Sequence, residues 1–373
     1  MAWREASIVS QRLEFVTLAS AEGANVRELC RRFGISAPTG YKWMARYRDA
    51  VAAAEAAGPA GARAAMQDRS RRPRTSPERS SAALEAAVLA VRERHPAWGA
   101  RKIRAVLARE AGPGAGALPA VSTVHAILVR RGRIDPREGL RHRAWERFEH
   151  DRPNALWQMD FKGHVAMQRG RCHPLTILDD HSRFSLGLWA CVDERSETVR
   201  GRLELTFRRF GLPERLLCDN GPPWGTSGSG ARHTRLTVWL LRLGVPVTHG
   251  RAYHPQTQGK DERFHRTLKA ELLGRLDLRD AGHAQAAFDA WRGTYNLERP
   301  HEALGMGVPA SRYRASERGY PERLPEVEYA PGEDLRRVRH DGSIRWGGEN
   351  WMVGEAFAGE WVAVRRLGGA GGE

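Results

Sequence analysis

The chain has 373 residues, enough for two or three domains, and its 41% hydrophobic and 28% charged residues are typical of a folded globular protein. Its 60 Lys and Arg residues against 44 Asp and Glu give a formal net charge of +16, which predicts a polyanionic partner such as nucleic acid. The 4 cysteines are scattered without a C-x-x-C pair, and no apolar run approaches about 18 residues. We therefore expect no cysteine zinc site, no disulfide framework, no membrane insertion and a cytoplasmic location.

Residues 8–50 predict three short helices. Gly34 permits a tight turn after the second helix, and Ser36 is a suitable N-cap for the third, with Pro38 in its first turn. Helix, short turn and helix form the outline of a helix-turn-helix DNA-binding unit. The alternative is a small helical bundle without a DNA role. The cations expected to contact DNA from the last helix are Lys42, Arg46 and Arg48.

A linker and a second helical set follow. Residues 52–80 are rich in Ala, Gly, Pro, Ser and Arg without apolar periodicity, which is typical of a linker. Beyond them, the segment VSTVHAILVRRGRI predicts a helix capped by Ser122, with Arg130 and Arg131 at its end as further DNA contacts. Two helix-turn-helix units in tandem fit a long, bipartite DNA site.

From Leu156 the apolar period changes to two, which predicts β-strands. The segments ALWQMDFKGHVAM, PLTILDD and FSLGLWACVD predict strands, and helices then alternate with the short strands ERLLCD and VPVTHG. This order indicates a mixed sheet covered by helices. After a helix around HAQAAFDAWRGTYN, short β-rich runs broken by glycine pairs predict a small, barrel-like β domain.

Three acidic residues have unusual local settings. Asp160 lies in the middle of a strand, where Asp is depleted. Asp219 ends a buried strand just before Asn220-Gly221, a turn signal. Glu262 lies in the first turn of the helix that follows YHPQTQGK. Three carboxylates that converge at a sheet edge repel one another unless divalent cations hold them together, and two Mg²⁺ or Mn²⁺ ions suit oxygen ligands and phosphoryl displacement.

The segments LWQMDFKG, LLCDNGPPW and YHPQTQGKDERFHRTL, with YNLERPHEAL downstream, resemble the integrase core of insertion-sequence transposases, a family related to retroviral integrases. The resemblance implies that Asp160, Asp219 and Glu262 are the acidic metal-binding triad of an RNase H-like fold. It implies that water attacks the phosphodiester at the end of the element, and that the freed 3′-hydroxyl attacks target DNA. The partners it implies are double-stranded DNA and further copies of the chain assembled on that DNA.

The expected fold class is multidomain α+β, with all-α helix-turn-helix units, an RNase H-like mixed α/β core and a small β-barrel-like domain. The expected boundaries are 1–51 for the first helix-turn-helix domain, 52–80 for the basic linker, 81–148 for a second helix-turn-helix or winged-helix-like domain, 149–318 for the catalytic core, 319–367 for the β domain and 368–373 for a disordered tail.

The sequence departs from the family pattern in two places. The interval from Asp219 to Glu262 is 43 residues, longer than the family's usual interval, and the excess falls in the Gly/Ser-rich WGTSGSGARH. Asp261 precedes Glu262 where a small apolar residue is more usual, so either acid is a candidate ligand, and the flanking ERFHRTL favours Glu262.

Other side chains near the triad have lesser expected roles. Asp179 and Asp180 are adjacent on a strand, so at most one faces the site, and we expect them to hold a turn. His254 and His265 are expected at the surface or against phosphate. The cations expected to guide DNA phosphates to the site are Lys162, Lys260, Arg263, Arg266 and Lys269.

The sequence thus favours a DNA transposase that binds terminal inverted repeats, cleaves DNA and joins strands with Mg²⁺. No G-x-x-x-x-G-K-[ST] motif is present, so no nucleotide cofactor is expected. One alternative is a transposase-derived regulator that binds DNA without catalysis. Another is an RNase H-like nuclease acting on a hybrid duplex, which would have no need of tandem helix-turn-helix units.

Overall fold

The computed structural model describes residues 7–53, 63–69, 79–112, 118–134, 149–225, 233–249 and 259–365. Contacts divide the chain into two units, residues 1–79 and residues 80–373. The predicted disordered tail, most of the predicted linker and most of the Gly/Ser-rich stretch lie outside the described residues.

The first unit contains the three predicted helices. They are α1 (Ile8–Ala19), α2 (Val26–Arg32) and α3 (Ala37–Ala53). As predicted, the Ser36 hydroxyl accepts a hydrogen bond from the Thr39 backbone N–H, at 3.4 Å, at the start of α3. Residues 63–69 depart from the linker expectation, because Met66 is fully buried in the core of this unit. The other buried members of that core are Phe15, Val16, Ala19, Cys30 and Trp43.

The second unit begins with another set of three helices, α4 (Ala82–Arg94), α5 (Ala100–Ala111) and α6 (Val121–Arg130). The residue that precedes α6 is Ala120, and no side chain caps this helix. The predicted cap at Ser122 is therefore wrong, since Ser122 already lies within the first turn. The buried core of this bundle is formed by Val88, Val91, Trp98, Ala100, Ile103, Val106, Leu107, Val124, Ile127 and Leu128.

A mixed sheet forms the centre of the second unit. Its strands are β1 (Trp157–Phe161), β2 (Val165–Ala166), β3 (Arg171–Asp179), β4 (Ser185–Cys191), β5 (Leu216–Cys218) and β6 (Val247–His249). β1 pairs antiparallel with β3 and parallel with β5, and β5 pairs parallel with β6. β2 and β4 pair antiparallel with β3. The strand order is β4-β3-β1-β5-β6. The sheet contains parallel and antiparallel pairs, as predicted.

Helices cover both faces of the sheet. On one face, α7 (Ser196–Phe210) and α8 (Arg235–Arg242) pack against β1, β3 and β5. On the other face, α9 (Gly259–Leu268) and α10 (Ala281–Leu297) pack against β3 and β4. Phe264 and Leu268 of α9 are buried on this second face, and the Phe264 ring meets Tyr295 of α10 edge to face at 4.9 Å. These two apolar side chains fix which side of α9 faces the sheet.

The C-terminal strands form two separate two-stranded sheets. β7 (Asp334–Arg337) pairs with β10 (Trp361–Val364), and β8 (Ser343–Trp346) pairs with β9 (Glu349–Met352). Closure of these strands into a barrel stays a prediction. No helix within the described ranges combines the length and the apolar character needed to cross a bilayer.

The α4–α6 bundle contacts the core next to the end of α10. The Arg109 guanidinium donates to the carbonyl of Glu298, and the Arg101 guanidinium lies 3.6 Å from the Glu302 carboxylate. Lys102 points into the same region, where burial, together with the charge of Arg299, lowers its pKa to about 8. Polar contacts therefore join the second helical set to the unit formed by the mixed sheet and its helices.

A buried ion pair holds the end of the α9 segment. A π-helical turn, Lys269–Leu273, follows α9 and carries Glu271. One oxygen of Glu271 accepts a hydrogen bond from Arg299 Nε at 2.9 Å, and the other accepts from Trp291 Nε1 at 3.3 Å. About one tenth of each charged side chain of the Glu271–Arg299 pair is exposed.

We predict that Glu271→Ala lowers the free energy of unfolding by about 3 kcal/mol, because it leaves the Arg299 charge buried without its carboxylate. Urea unfolding of the full chain, followed by tryptophan fluorescence, measures this. The matched control is Glu204→Ala, which removes a partly exposed pair with Arg200 one turn away on α7 and should cost less than about 0.5 kcal/mol. Equal effects of the two substitutions would contradict the prediction.

Candidate active site

Asp160 lies near the end of β1, on the side of the strand opposite to the buried Met159. In the β1–β3 register Asp160 pairs with Thr176, whose hydroxyl donates to the Asp160 carbonyl at 2.9 Å. His265 Nε2 lies 2.9 Å from the same hydroxyl. The other ring nitrogen of His265, Nδ1, lies 3.9 Å from a carboxylate oxygen of Asp160. Since the Thr176 proton is used, Nε2–H of His265 is the donor to Thr176.

Asp219 directly follows the buried strand β5. Its carboxylate accepts hydrogen bonds from the Gly221 backbone N–H, at 3.1 Å, and from the Trp224 indole N–H. His249 donates from Nδ1 to the Asp219 carbonyl at 2.7 Å. Trp224 is buried and stacks on Phe161 of β1, with ring centroids 5.5 Å apart. These contacts fix the carboxylate at the end of its strand.

The two aspartates lie next to each other at the sheet edge. β1 and β5 are parallel neighbours with Gln158 paired to Leu217, so the same register places Asp160 beside Asp219. Burial, and next the negative charge of Asp219, raise the pKa of Asp160 to about 7. A site that disfavours the ionised form of an aspartate in this way is suited to bind a cation.

The third predicted acid, Glu262, is exposed on α9, whereas its neighbour Asp261 is only 3% exposed. Burial, followed by the charges of Asp160 and Asp180, raises the pKa of Asp261 well above its ordinary value. Among the described residues, no three His, Cys, Asp or Glu side chains are grouped closely enough to hold a metal ion. The structure thus brings Asp160 and Asp219 together, and the assignment of Glu262 as their partner stays a prediction.

His265 is buried rather than exposed, and the expectation of a surface position is wrong. One turn after Asp261, it lies on the face of α9 that contacts the sheet. Burial, helped by the charge of Lys162, lowers the pKa of His265 to about 4, so this imidazole is neutral near pH 7. It acts as a fixed hydrogen-bond donor that supports β1 through Thr176. His254, the other histidine of this segment, lies outside the described residues.

Asp179 and Asp180 hold the turn after β3, as predicted. Asp179 accepts hydrogen bonds from the backbone N–H groups of Asn154 and Ser182, both at 2.7 Å. Asp180 accepts from the Gln158 side chain at 2.6 Å and from the His150 backbone N–H at 2.9 Å. Both carboxylates are almost fully buried, and they tie the turn after β3 to the segments that enter and form β1.

Lys260 makes an ion pair with Asp180, and 18% of the lysine side chain is exposed. Its predicted contact with a DNA phosphate stays a prediction. The pair joins the first turn of α9 to the end of β3, since Lys260 follows directly on the first residue of the helix. Lys260 is therefore a residue that positions α9. The sequence contained both partners, but 80 residues separate them, and no local pattern indicated the pairing.

The remaining predicted DNA contacts fall into two groups. Arg130 and Arg131 both bind the carboxylate of Glu85, which is 2% exposed, so they stabilise the α4–α6 bundle. Lys42 and Arg46 lie over the Trp43 ring at 4.8 and 4.7 Å from its centroid. Arg46 and Lys162 are half-buried, and the exposed members are Lys42, Arg48, Arg130, Arg131, Arg263, Arg266 and Lys269. Their roles as DNA contacts stay predictions.

We predict that Lys260→Met lowers the free energy of unfolding by roughly 2 kcal/mol, because it removes the cation from a buried carboxylate. It should leave the salt dependence of DNA affinity unchanged. Lys269→Met, an exposed lysine of the same segment, should change stability by less than about 0.5 kcal/mol and reduce the salt slope by about one if it contacts phosphate. Urea unfolding and DNA binding at several salt concentrations measure both. A normal stability with a reduced slope for Lys260→Met would restore its predicted DNA role.

The raised pKa of Asp160 predicts a pH dependence of stability in the metal-free protein. A carboxylate whose pKa rises on folding favours the folded state at low pH, and this contribution is lost as the pH rises from about 4 to about 7. Asp160→Asn should therefore raise the unfolding temperature more at pH 8 than at pH 4.

Asp193→Asn is the control for this titration. Hydrogen bonds from Thr198 and the Arg195 backbone lower the pKa of Asp193, so its substitution should destabilise the protein at pH 8 and have less effect in acid. Thermal unfolding in a chelator at the two pH values tests both signs. An equal shift at pH 4 and pH 8 for Asp160→Asn would contradict the prediction.

Known protein families match both the sheet region and the N-terminal helical segments. Two families described as integrase core domain match residues 150–255 and 243–309. Two families described as homeodomain-like domain match residues 9–62 and 39–128. The integrase core matches thus cover the sheet with Asp160 and Asp219 and continue through α9 and α10.

Among similar proteins, the insertion element IS407 uncharacterized 31.7 kDa protein of Burkholderia multivorans is 27% identical over 167 residues, which are 44% of this chain and 58% of that protein. The Gag-Pol polyprotein of Koala retrovirus is 31% identical over 133 residues, 35% of this chain and 7% of the polyprotein. The chain therefore spans less than two thirds of either relative. The HTLV-2 integrase catalytic core domain, solved in complex with magnesium, aligns with 44% of this chain and 99% of its own at 15% identity and a TM-score of 0.34.

The matched domains occur in the order predicted from the sequence, homeodomain-like helices first and integrase core second. Residues 150–309 thus match integrase core domain families, and part of this chain is similar in sequence to an insertion-element protein and to retroviral Pol sequences.

Proposed function

We propose that this chain is the DNA transposase of an insertion sequence, which binds the terminal inverted repeats of its element and catalyses DNA cleavage and strand transfer. The observation that supports this most is the pair Asp160 and Asp219 at the edge of a mixed sheet, in a chain with homeodomain-like domains. Ligands of α/β sheets bind beyond the carboxyl ends of strands, where both residues lie.

The two carboxylates fit a divalent cation. The charge of Asp219 adds to the burial that raises the pKa of Asp160, so a cation between them would remove a repulsion. Mg²⁺ and Mn²⁺ prefer such oxygen ligands. We assign Asp160, Asp219 and Glu262 as the residues that hold two such ions. When bound, the ions would stabilise the charge on the attacking and leaving oxygens of a phosphodiester.

The residues around the aspartates would keep the site in one geometry during the reaction. His265 and Thr176 fix the backbone of Asp160, and Trp224 fixes the carboxylate of Asp219. The Lys260–Asp180 pair fixes the first turn of α9, which carries Glu262. Such support matters because catalytic groups must be held within a fraction of an ångström of their productive positions.

The substrate proposed for the site is double-stranded DNA from the element ends and the target. Arg263 and Arg266 of α9 and Lys269 of the turn that follows it are exposed. They form a positive surface beside Glu262 to which DNA phosphates can bind. The net charge of +16 acts in the same direction. Because two element ends react together, we propose that copies of the chain assemble on DNA in the cytoplasm.

A DNA-binding regulator without catalysis is the second candidate. The observation that favours it is the exposure of Glu262, which is not grouped with the two aspartates among the described residues. This candidate requires the same helix-turn-helix domains but no metal-dependent chemistry.

The test is a strand-transfer assay with the full chain, Mg²⁺ and a duplex that carries the ends of its own element. We expect joined products from the wild type. Asp160→Asn, Asp219→Asn and Glu262→Gln should each reduce joining by more than about 100-fold, because each removes a proposed metal ligand. All three should bind the element ends with wild-type affinity.

Asp289→Asn is the control, since it removes an exposed carboxylate of α10 that pairs only with its helix neighbour Arg292 among the contacts described. It should join DNA like the wild type. End binding without joining by the wild type would favour the regulator. Normal joining by Glu262→Gln would show that another acid takes the third position.

A further inference from the structure

The buried face of α9 carries a carboxylate that the proposed ligand set does not include. Asp261 lies in the first turn of the helix, and its Oδ1 is buried without a hydrogen-bond partner. A buried oxygen without a partner lowers the stability of the folded protein. Binding of a ligand that supplies the partner recovers that free energy. The location of Asp261 indicates which partner that is.

Asp261 lies on the face of α9 that is directed at Asp160. Its helix neighbour one turn on, His265, is 3.9 Å from the carboxylate of Asp160, so this face of α9 is the one directed at Asp160. The buried thiol of Cys218 lies within the electrostatic influence of Asp160, Asp219 and Asp261 together. Asp261 is therefore on the side of α9 that faces Asp160.

The packing of α9 keeps Asp261 on this side. Phe264 and Leu268 are fully buried on the same face of the helix, and the ion pair of Lys260 with Asp180 holds the first turn. Rotating the helix to turn Asp261 outward would expose both apolar side chains to water. Asp261 must therefore be accommodated within the site.

We propose that Asp261 is a fourth carboxylate of the catalytic centre and that it binds the divalent cations together with Asp160, Asp219 and Glu262. This inference rests on the proposed function, because it extends the same metal site. Two divalent ions carry four positive charges, which four carboxylates balance. A hard cation would also supply the partner that the Asp261 oxygen lacks.

The test is Mn²⁺ binding to the full chain without DNA, measured by the electron paramagnetic resonance signal of free Mn²⁺. We compare the wild type with Asp261→Asn, which keeps the side-chain shape, and with Asp261→Val, which supplies an apolar group. Each should raise the Kd for Mn²⁺ about tenfold or more. Asp160→Asn should do the same. Glu197→Gln, an exposed acid in the first turn of α7, should bind Mn²⁺ like the wild type.

In EDTA, both Asp261 variants should unfold at the wild-type temperature or above it, because they remove a buried carboxylate without a full set of partners. Lost Mn²⁺ binding with retained stability supports the inference. Wild-type Mn²⁺ binding by both Asp261 variants, alongside a loss in Asp160→Asn, would overturn it and leave the proposed function in place. Absence of any Mn²⁺ binding that depends on Asp160 would overturn the proposed metal site itself and this inference with it.

Discussion

Negative charge buried along the central strand β1 is the constraint around which this core is organised. Asp179 and Asp180 meet it with backbone N–H donors and a lysine. Asp160 and Asp219 meet it only in part, since burial and mutual repulsion still raise the pKa of Asp160. Two kinds of acid therefore lie along β1, with Asp179 beside its first residue and Asp160 near its last. The first kind is satisfied within the protein and holds its shape, while the second leaves negative charge for a cation to neutralise.

The orientation of α9 is decided by packing and not by the chemistry of its acids. Phe264 and Leu268 must face the sheet, and residues that follow each other on a helix point about 100° apart. Once the apolar pair is buried, Asp261 faces inward and Glu262 faces solvent. At this position an apolar side chain would complete the core without electrostatic cost. An aspartate there adds charge to a site that already carries it, which gives the position a functional meaning.

Periodicity predicted most of the elements, because strands and helices of this core bury clear apolar stripes. The placement of Asp160 within a strand and of Asp219 at the end of another also followed from the pattern, since both acids interrupt or end apolar runs. That the two strands are neighbours did not follow from it. The pairing of Lys260 with Asp180 was not predictable, as it depends on how distant segments meet. The same holds for Arg130 and Arg131, whose buried partner Glu85 looked like an ordinary helix acid. Charge alone indicates a nucleic-acid protein, but only the fold shows which cations also pair with acids of the protein.

The contact between the α4–α6 bundle and the core has a geometric consequence. Arg109 and Arg101 bind the chain just beyond α10, and Lys102 reaches toward Glu271 at the end of the α9 segment. A DNA end read by α6 would then be held at a set distance from Asp160 and Asp219. The dimensions of the protein would then set the number of base pairs between the recognised sequence and the scissile phosphate. The spacing between repeat and cleavage point would be a property of the protein's own dimensions.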